Sequence, residues 1–231
     1  MRWTGTSAPI ELNRSGNYMS AEAFSVSADG SVATGRMYAS ATPDTDPTMV
    51  AFRWVSGLNT TIIPNAPGID LAEGKAINGD GTVIVGLARG TPGGSYQTFR
   101  WTAASGTAVL VSGFGFGNLG VSTDGNKFCG SGAAGALLWS SGTSTPVGPA
   151  SSQSSAISGD GNTVAGTSNA GVWTWSGGTT QFLATRLTAL GVDLGGLVLT
   201  EINGASSNGK VLVGSVIRDN DFGEGYIAIL P

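Results

Sequence analysis

A short motif that occurs five times limits what this chain can fold into. Its first copy reads Ser27-Ala28-Asp29-Gly30 and is followed by an apolar segment that ends on Gly35. The other copies have the same frame and are centred on Asp80-Gly81, Asp124-Gly125, Asp160-Gly161 and Asn208-Gly209. In each copy the turn glycine precedes a closing glycine by five positions. Because Asp-Gly between apolar runs favours a tight turn, the sequence predicts five hairpins.

A second recurring segment extends each of the first four hairpins. It ends on a tryptophan, as in Phe52-Arg53-Trp54, and a turn and a short fourth run follow it. Four antiparallel strands in about fifty residues is the period of a propeller blade. We therefore predict an all-β fold, a β-propeller of four-stranded antiparallel blades that forms a single domain over residues 1–231. Five blades are predicted, six are an alternative, and a β-solenoid is the alternative architecture.

Two segments depart from the repeat. Residues 181–191 predict a short inserted helix, with Gly191 as its C-terminal cap, that packs between the fourth and fifth units or over one end. The side chains of its apolar face are Phe182, Leu183, Leu187 and Leu190. The last unit has no fourth strand of its own, and we expect residues 9–12 to supply one and close the ring.

Composition excludes several classes of function. The chain has 231 residues, 38 of them glycine, and a net charge of −4, which disfavours sequence-independent binding to nucleic acids or anionic membranes. Histidine is absent, which removes Ser-His-Asp and Cys-His catalysis and histidine zinc sites. The single cysteine, Cys129, lies in an apolar strand and is interpreted as a buried hydrophobe. No apolar run is long enough to span a membrane. No signal-peptide core follows Met1, so we expect any export signal to be removed or to lie outside this sequence.

Two recurring residue types have a structural interpretation. The turn aspartates are expected to hydrogen-bond the backbone of their own hairpins. The tryptophans in register are expected to fill the blade cores. They are Trp54, Trp101, Trp139 and Trp175.

Alignment on the turn places three glutamates at one shared position. Glu22, Glu73 and Glu201 each lie seven residues before the turn aspartate or its equivalent. In a propeller this position lies on the face opposite the turns, at the mouth of the channel. The structural interpretation is solvated loop charge. The functional alternatives are a hard cation such as calcium, polyol recognition, or a pair of carboxylates for glycoside hydrolysis.

The loops of the same face carry arginines and aromatic residues. Arginine and aromatic rings beside carboxylates suit stacking on sugars and hydrogen bonds to hydroxyls, although loop packing explains them as well. The candidate ligand-binding residues are Arg36, Tyr38, Arg89, Tyr96, Phe114, Phe116 and Arg218. Tyr18 is expected in a loop of the same face.

The Ser-x-Asp-Gly turn, the Val-x-x-x-Gly strand and the Ala-Phe-Arg-Trp strand together resemble the bacterial extracellular repeat family called HAF. The resemblance covers nearly the whole chain, including the ending Ile227-Ala228-Ile229-Leu230-Pro231. It implies a secreted or surface-exposed bacterial protein and carries no catalytic motif. The sequence departs from the pattern at Asn208 and at Leu137-Leu138.

These observations predict a non-enzymatic module that binds a glycan or a protein through one propeller face. A carboxylate-based glycoside hydrolase is the alternative, and a structural passenger of a surface protein is a second one. No cofactor is required by the leading hypothesis, and neither nucleic acid nor membrane insertion is expected.

Overall fold

A computed structural model describes residues 1, 5–6, 8, 12, 16–39, 49–65, 70–89, 96–115, 117–218 and 223–231. The chain divides into two compact units, Met1–Val111 and Ser112–Pro231. Its elements are antiparallel sheets and one short helix, so the all-β prediction is confirmed. Whether the two units make up one domain over residues 1–231 stays a prediction.

The first unit contains two four-stranded sheets, each a simple antiparallel meander. The strands of the first sheet are β1 (Ser20–Val26), β2 (Val32–Tyr38), β3 (Val50–Val55) and β4 (Thr61–Ile62). Those of the second are β5 (Asp70–Ile77), β6 (Val83–Arg89), β7 (Tyr96–Thr102) and β8 (Ala108–Val111). The two sheets pack face to face through Val32, Ile63, Ile84 and Phe99.

The second unit continues the same pattern. It begins with the third sheet of the chain, whose strands are β9 (Gly120–Val121), β10 (Lys127–Gly132), β11 (Gly135–Ser140) and β12 (Thr143–Pro146). The fourth has β13 (Gln153–Ile157), β14 (Thr163–Ser168), β15 (Gly171–Ser176) and β16 (Thr179–Phe182). The fifth has three described strands, which are β17 (Leu197–Ala205), β18 (Val211–Arg218) and β19 (Glu224–Ile229).

The turn aspartates hold their own hairpins together, as predicted. Asp29 Oδ1 accepts hydrogen bonds from Ser27 Oγ at 2.7 Å and from the Ser31 backbone at 2.9 Å. Asn208 accepts the same pair of bonds, from Ser206 Oγ and from the Lys210 backbone. An amide oxygen therefore replaces the carboxylate in the fifth turn without changing its geometry.

The turns also hydrogen-bond to one another inside each unit. The Ala28 N–H donates to Gly79 O at 2.8 Å in the first unit, and the Thr123 N–H donates to Gly159 O at 2.8 Å in the second. Arg53 reaches from the first sheet to Gly81 O. The turn motif thus sets both the hairpin and its contact with the next sheet.

The closing glycines are required by close approach rather than by a turn. A Cβ at Gly86 would overlap the carbonyl oxygen of Glu73 and lie 2.6 Å from the ring of Phe99. Gly166 is equally confined by Gln153 and by Trp173. In each case the glycine leaves room for a large side chain on the neighbouring third strand, directly opposite in the register.

That arrangement modifies the prediction for the tryptophans. Trp54 and Trp101 are buried as expected, but Trp139 and Trp175 are only half-buried. The fully buried ring of the fourth sheet is Trp173, which lies opposite the closing glycine. The position over the glycine is deeper than the tryptophan position two residues later.

The inserted helix is confirmed. Helix α1 (Leu183–Ala189) follows β16, and Gly191 adopts a φ of +85°, with its N–H bonded to Thr188 O. Leu183 and Leu187 are buried in a cluster with side chains of the fourth and fifth sheets. Leu190 was predicted to share this face but is 49% exposed, because it lies at the cap beyond the last helical turn.

The segment predicted to close the ring falls mainly outside the described residues. Residues 9–11 are not described, whereas Leu12 packs against the first sheet beside Phe52 and Trp54. In the part of the chain that the structure describes, no helix is long and apolar enough to cross a membrane.

Candidate functional site

The three glutamates occupy equivalent positions on the first strands of their sheets. Each lies opposite the residue fourteen positions later, so Glu22 pairs with Arg36, and Glu201 pairs with Ser215. Glu73 pairs with Leu87 in the same register. The repeat alignment therefore located a structurally equivalent position, but its surroundings differ from sheet to sheet.

Glu22 is held by two side chains of β2. Its Oε2 accepts from Arg36 Nε at 2.8 Å, and its Oε1 accepts from the Tyr38 hydroxyl at 2.6 Å. The Tyr38 hydrogen bond, and then Arg36, lower the pKa of Glu22, so it is a carboxylate at neutral pH. The Glu22 side chain remains 40% exposed. It is a fixed, ionised acceptor at the surface.

Glu73 is the buried member, with a side chain only 8% exposed. Its Oε1 lies 3.8 Å from Arg36, and its Oε2 lies 2.6 Å from Lys75 Nζ. Among the described residues Oε2 accepts no well-directed hydrogen bond, so its compensation is the charge of Lys75. Arg36 thus links the carboxylates of two neighbouring sheets.

Two β-bulges bring an aromatic ring into this network. The register of β1 shifts around Phe24, and the register of β5 shifts around Lys75. Lys75 Nζ lies 4.5 Å from the centroid of the Phe24 ring, and the Arg36 guanidinium lies 5.5 Å from it. These are cation–π distances. Sequence analysis missed Phe24 and Lys75, because a bulge is set by pairing between strands.

Other predicted ligand-binding residues extend the same surface. Tyr38 and Tyr96 pack together with Met49 and Ala72. Arg89 donates a hydrogen bond to the Tyr96 hydroxyl at 3.1 Å. The first unit therefore brings together several of the sequence candidates in one cluster, which we call the Arg36 cluster. Its members from the sequence analysis are Glu22, Arg36, Tyr38, Glu73, Arg89 and Tyr96.

A cavity of about 470 Å³ opens beside this cluster. Glu22 and Tyr38 line it together with the apolar side chains Met19, Met37 and Phe52. Apolar side chains beside a few fixed polar groups are common in binding sites for a small ligand or side chain.

The candidates of the second unit have different environments. Glu201 accepts from Ser215 Oγ at 3.2 Å, and burial raises the pKa of its neighbour Tyr226 to about 12. Arg218 donates to Gly195 O at 3.5 Å. Phe114 was expected in an exposed loop, but it is buried against the ring of Phe128, 5.1 Å away between centroids.

Phe114 is buried because Gly130 has no side chain, and a Cβ there would lie 2.7 Å from the Phe114 ring. Phe116 lies outside the described residues. Tyr18 packs against the Trp54 cluster of the first sheet.

The charges of the Arg36 cluster decide what it can do. The Glu22 and Glu73 carboxylates face Arg36 and Lys75, which already neutralise the pair. The third cation, Arg89, is hydrogen-bonded to Tyr96. In the described ranges no group of three or more acidic, cysteine or histidine side chains forms a metal site. The hard cation predicted at the glutamates stays a prediction, and at Glu22 and Glu73 it would compete with these cations.

Similar folds were found among solved structures. TolB from Acinetobacter baumannii superposes with a TM-score of 0.55 at 13% identity, covering 91% of this chain and 52% of that one. A putative TolB from Agrobacterium tumefaciens gives 0.56 at 13% identity, covering 90% and 76%. The β-propeller domain of the Trilobed protease from Pyrococcus furiosus gives 0.53 at 10% identity, covering 91% and 66%.

These likenesses show a propeller-like fold of antiparallel four-stranded sheets. The chain spans about half the length of the Acinetobacter protein that it resembles. No protein-family model matches the chain, and no curated protein matches it by sequence.

Proposed function

We propose that this protein is a non-enzymatic binding module that recognises a glycan or a protein segment through the Arg36 cluster. The observation that carries the proposal is the ionised, partly exposed Glu22 carboxylate, fixed by Arg36 and Tyr38 at the rim of a cavity with a mixed polar and apolar lining. A preorganised acceptor of this kind binds hydroxyl or amide N–H donors without a cost of reordering.

The arrangement supports binding better than hydrolysis. A general acid in glycoside hydrolysis needs a raised pKa, whereas Tyr38 and Arg36 lower the pKa of Glu22. Glu73 is buried and paired with Lys75, which leaves little access for a substrate. The hydrolase alternative therefore requires a rearrangement of both carboxylates.

The test is a glycan array and a peptide-display screen with the full chain, followed by titration of the strongest ligand. We expect Glu22→Gln and Tyr38→Phe each to weaken binding several-fold, because one removes the charge and the other the hydroxyl that fixes it. Glu201→Gln is the matched control, since it changes the equivalent position in the second unit. Unchanged binding by both first-unit variants would contradict the proposal.

The same preparation is assayed on chromogenic glycosides. Activity that is lost in Glu22→Gln, Glu73→Gln or Glu201→Gln would favour the hydrolase alternative. Tolerance of every loop substitution, with no ligand found, would favour a structural passenger of a surface protein.

We also infer, from the resemblance to HAF repeats, a secreted or surface-exposed bacterial protein. Five described sheets support a five-bladed ring, with six blades as the alternative. Closure by residues 9–12 stays a prediction, and it needs the same sheet edge that the next proposal assigns.

A further inference from the structure

The last strand presents an apolar edge. Strand β19 pairs with β18 on one side, and among the described residues no strand pairs with its other side. Ile227 is 70% exposed and Ile229 is 74% exposed, and Val213 beside them is also exposed. No lysine, arginine or proline lies within Glu224–Ile229. Natural proteins commonly protect an edge strand with such residues, and an edge without them is available for pairing with another strand.

The other four sheets show what a fourth strand must offer. In the second sheet Trp101 lies opposite Ala108, and Phe99 lies opposite Leu110. The fourth sheet likewise places Thr180 opposite Trp175 and Phe182 opposite Trp173. The fourth strand therefore follows a rule. It sets a small residue opposite the tryptophan position of the third strand, and an apolar residue opposite the third-strand residue two positions before the tryptophan.

The equivalent positions in the fifth sheet are Ala228 and Tyr226. They pair with Leu212 and Gly214, just as Trp101 and Phe99 pair with Ile84 and the closing Gly86. A fourth strand should therefore set a small residue opposite Ala228 and an apolar residue opposite Tyr226.

The chain's own last strand has that sequence. Ala228-Ile229-Leu230 matches the fourth-strand segment Ala108-Val109-Leu110 position by position. If two copies of β19 pair antiparallel about Ala228, Ala228 faces its own counterpart and Leu230 of the second copy lies opposite Tyr226. Ile227 of each copy then lies opposite Ile229 of the other.

The backbone groups agree with this register. The Leu230 N–H donates to Lys210 O, and hydrogen-bonded pairs alternate along an antiparallel ladder. The N–H and C=O groups of Ile227 and Ile229 therefore point away from β18, towards the open edge. A strand pair centred on Ala228 brings Ile227 of one copy opposite Ile229 of the other. The N–H of each residue can then donate to the C=O of the other across the new strand pair.

We propose that β19 is a self-recognition edge, at which two copies of this chain pair antiparallel about Ala228 to form a two-fold symmetric dimer with one continuous six-stranded sheet. The occupant is a second copy because its strand satisfies the fourth-strand rule. Leu12, the described residue of the predicted closing segment, packs against the first sheet.

The first experiment measures the mass of the full chain by analytical ultracentrifugation over a series of concentrations. We expect a monomer–dimer equilibrium whose dissociation constant rises at least tenfold in Ile229→Lys. Val198→Lys is the matched control, since Val198 is exposed on β17 at the far edge of the same sheet. Circular dichroism confirms that both variants are folded. A monomer at every concentration would overturn the proposal.

The second experiment tests the register by disulfide formation. A mixture of Ile227→Cys chains and Ile229→Cys chains should give a covalent dimer, because paired Cα atoms lie within disulfide range. Either variant alone should give much less, since its own cysteines are not opposite each other. An intramolecular disulfide in a Leu12→Cys/Ile229→Cys chain would overturn the proposal and support closure by the N-terminal segment.

Discussion

At the scale of single residues, the repeat is defined by space as much as by turn chemistry. Gly86, Gly166 and Gly214 each let a first-strand carbonyl and a large third-strand side chain occupy the place of a missing Cβ. The turn position has a different requirement, a side-chain oxygen that accepts local N–H and hydroxyl donors, and Asn208 meets it as well as Asp29 does. The closing glycine and the turn residue of the motif therefore tolerate different substitutions.

We expect Gly86→Ala to destabilise the protein by about 1–3 kcal/mol, the usual range for forcing extra volume into a packed site. The added methyl would overlap Glu73 O and press on the Phe99 ring. Urea unfolding gives the change in free energy. Gly115→Ala is the control, because a Cβ there meets nothing within 4 Å, and it should be close to neutral. Equal losses in the two variants would contradict the packing explanation.

The Asp29 carboxylate should make the stability of the protein depend on pH. Its hydrogen bonds to Ser31 and Ser27 lower the pKa from 3.8 to about 2, so the folded state favours the carboxylate. Its contribution to stability is therefore present above about pH 4 and is lost as the pH falls towards 2.

Asp29→Asn should keep this turn at pH 7, as Asn208 does in the fifth sheet, and lose less stability between pH 4 and pH 2. Asp29→Ala should be less stable than wild type at both pH 7 and pH 2, because it removes the hydrogen-bond acceptor. Thermal unfolding of the three proteins at pH 7, pH 4 and pH 2 measures both effects. An acid dependence that is identical in Asp29→Asn and wild type would show that other groups control it.

At the scale of elements, the sequence predicts what local chemistry sets. The Asp-Gly turns and the capped helix depend on neighbours within a few positions, and both are found in the structure. The bulges at Phe24 and Lys75 depend on pairing between strands, and the ion pair from Arg36 to Glu73 depends on the packing of two sheets. Alignment of the repeat could locate Glu73, but it could not show that the residue is buried.

Two leucines of the predicted apolar face of the helix differ in burial. Leu187→Ala should lower the free energy of unfolding by about 2–5 kcal/mol, since Leu187 is buried against the fourth and fifth sheets. Leu190→Ala should cost much less, about 0.5 kcal/mol, because half of the Leu190 side chain is exposed at the cap. Denaturant titrations of both variants measure the difference. A large loss in Leu190→Ala would mean that the exposed cap contributes to packing.

At the scale of the whole molecule, each of the two compact units contains buried clusters of its own among the described residues. One cluster of the first unit is centred on Ile84 and Phe99, and Cys129 lies in a cluster of the second with Val164 and Trp173. In repeat architectures each repeat contacts chiefly its neighbours, so a core substitution acts first on its own cluster.

The single cysteine makes this testable. Burial raises the pKa of the Cys129 thiol to about 11, so at pH 8 the folded protein should resist thiol reagents until the second unit opens. Val164→Ala, in contact with the same cluster, should speed labelling at least tenfold. Ile84→Ala is equally buried but lies in the first unit, and it should change the rate much less. Rapid labelling of the native wild type, or equal acceleration by the two variants, would show that the cores do not open separately.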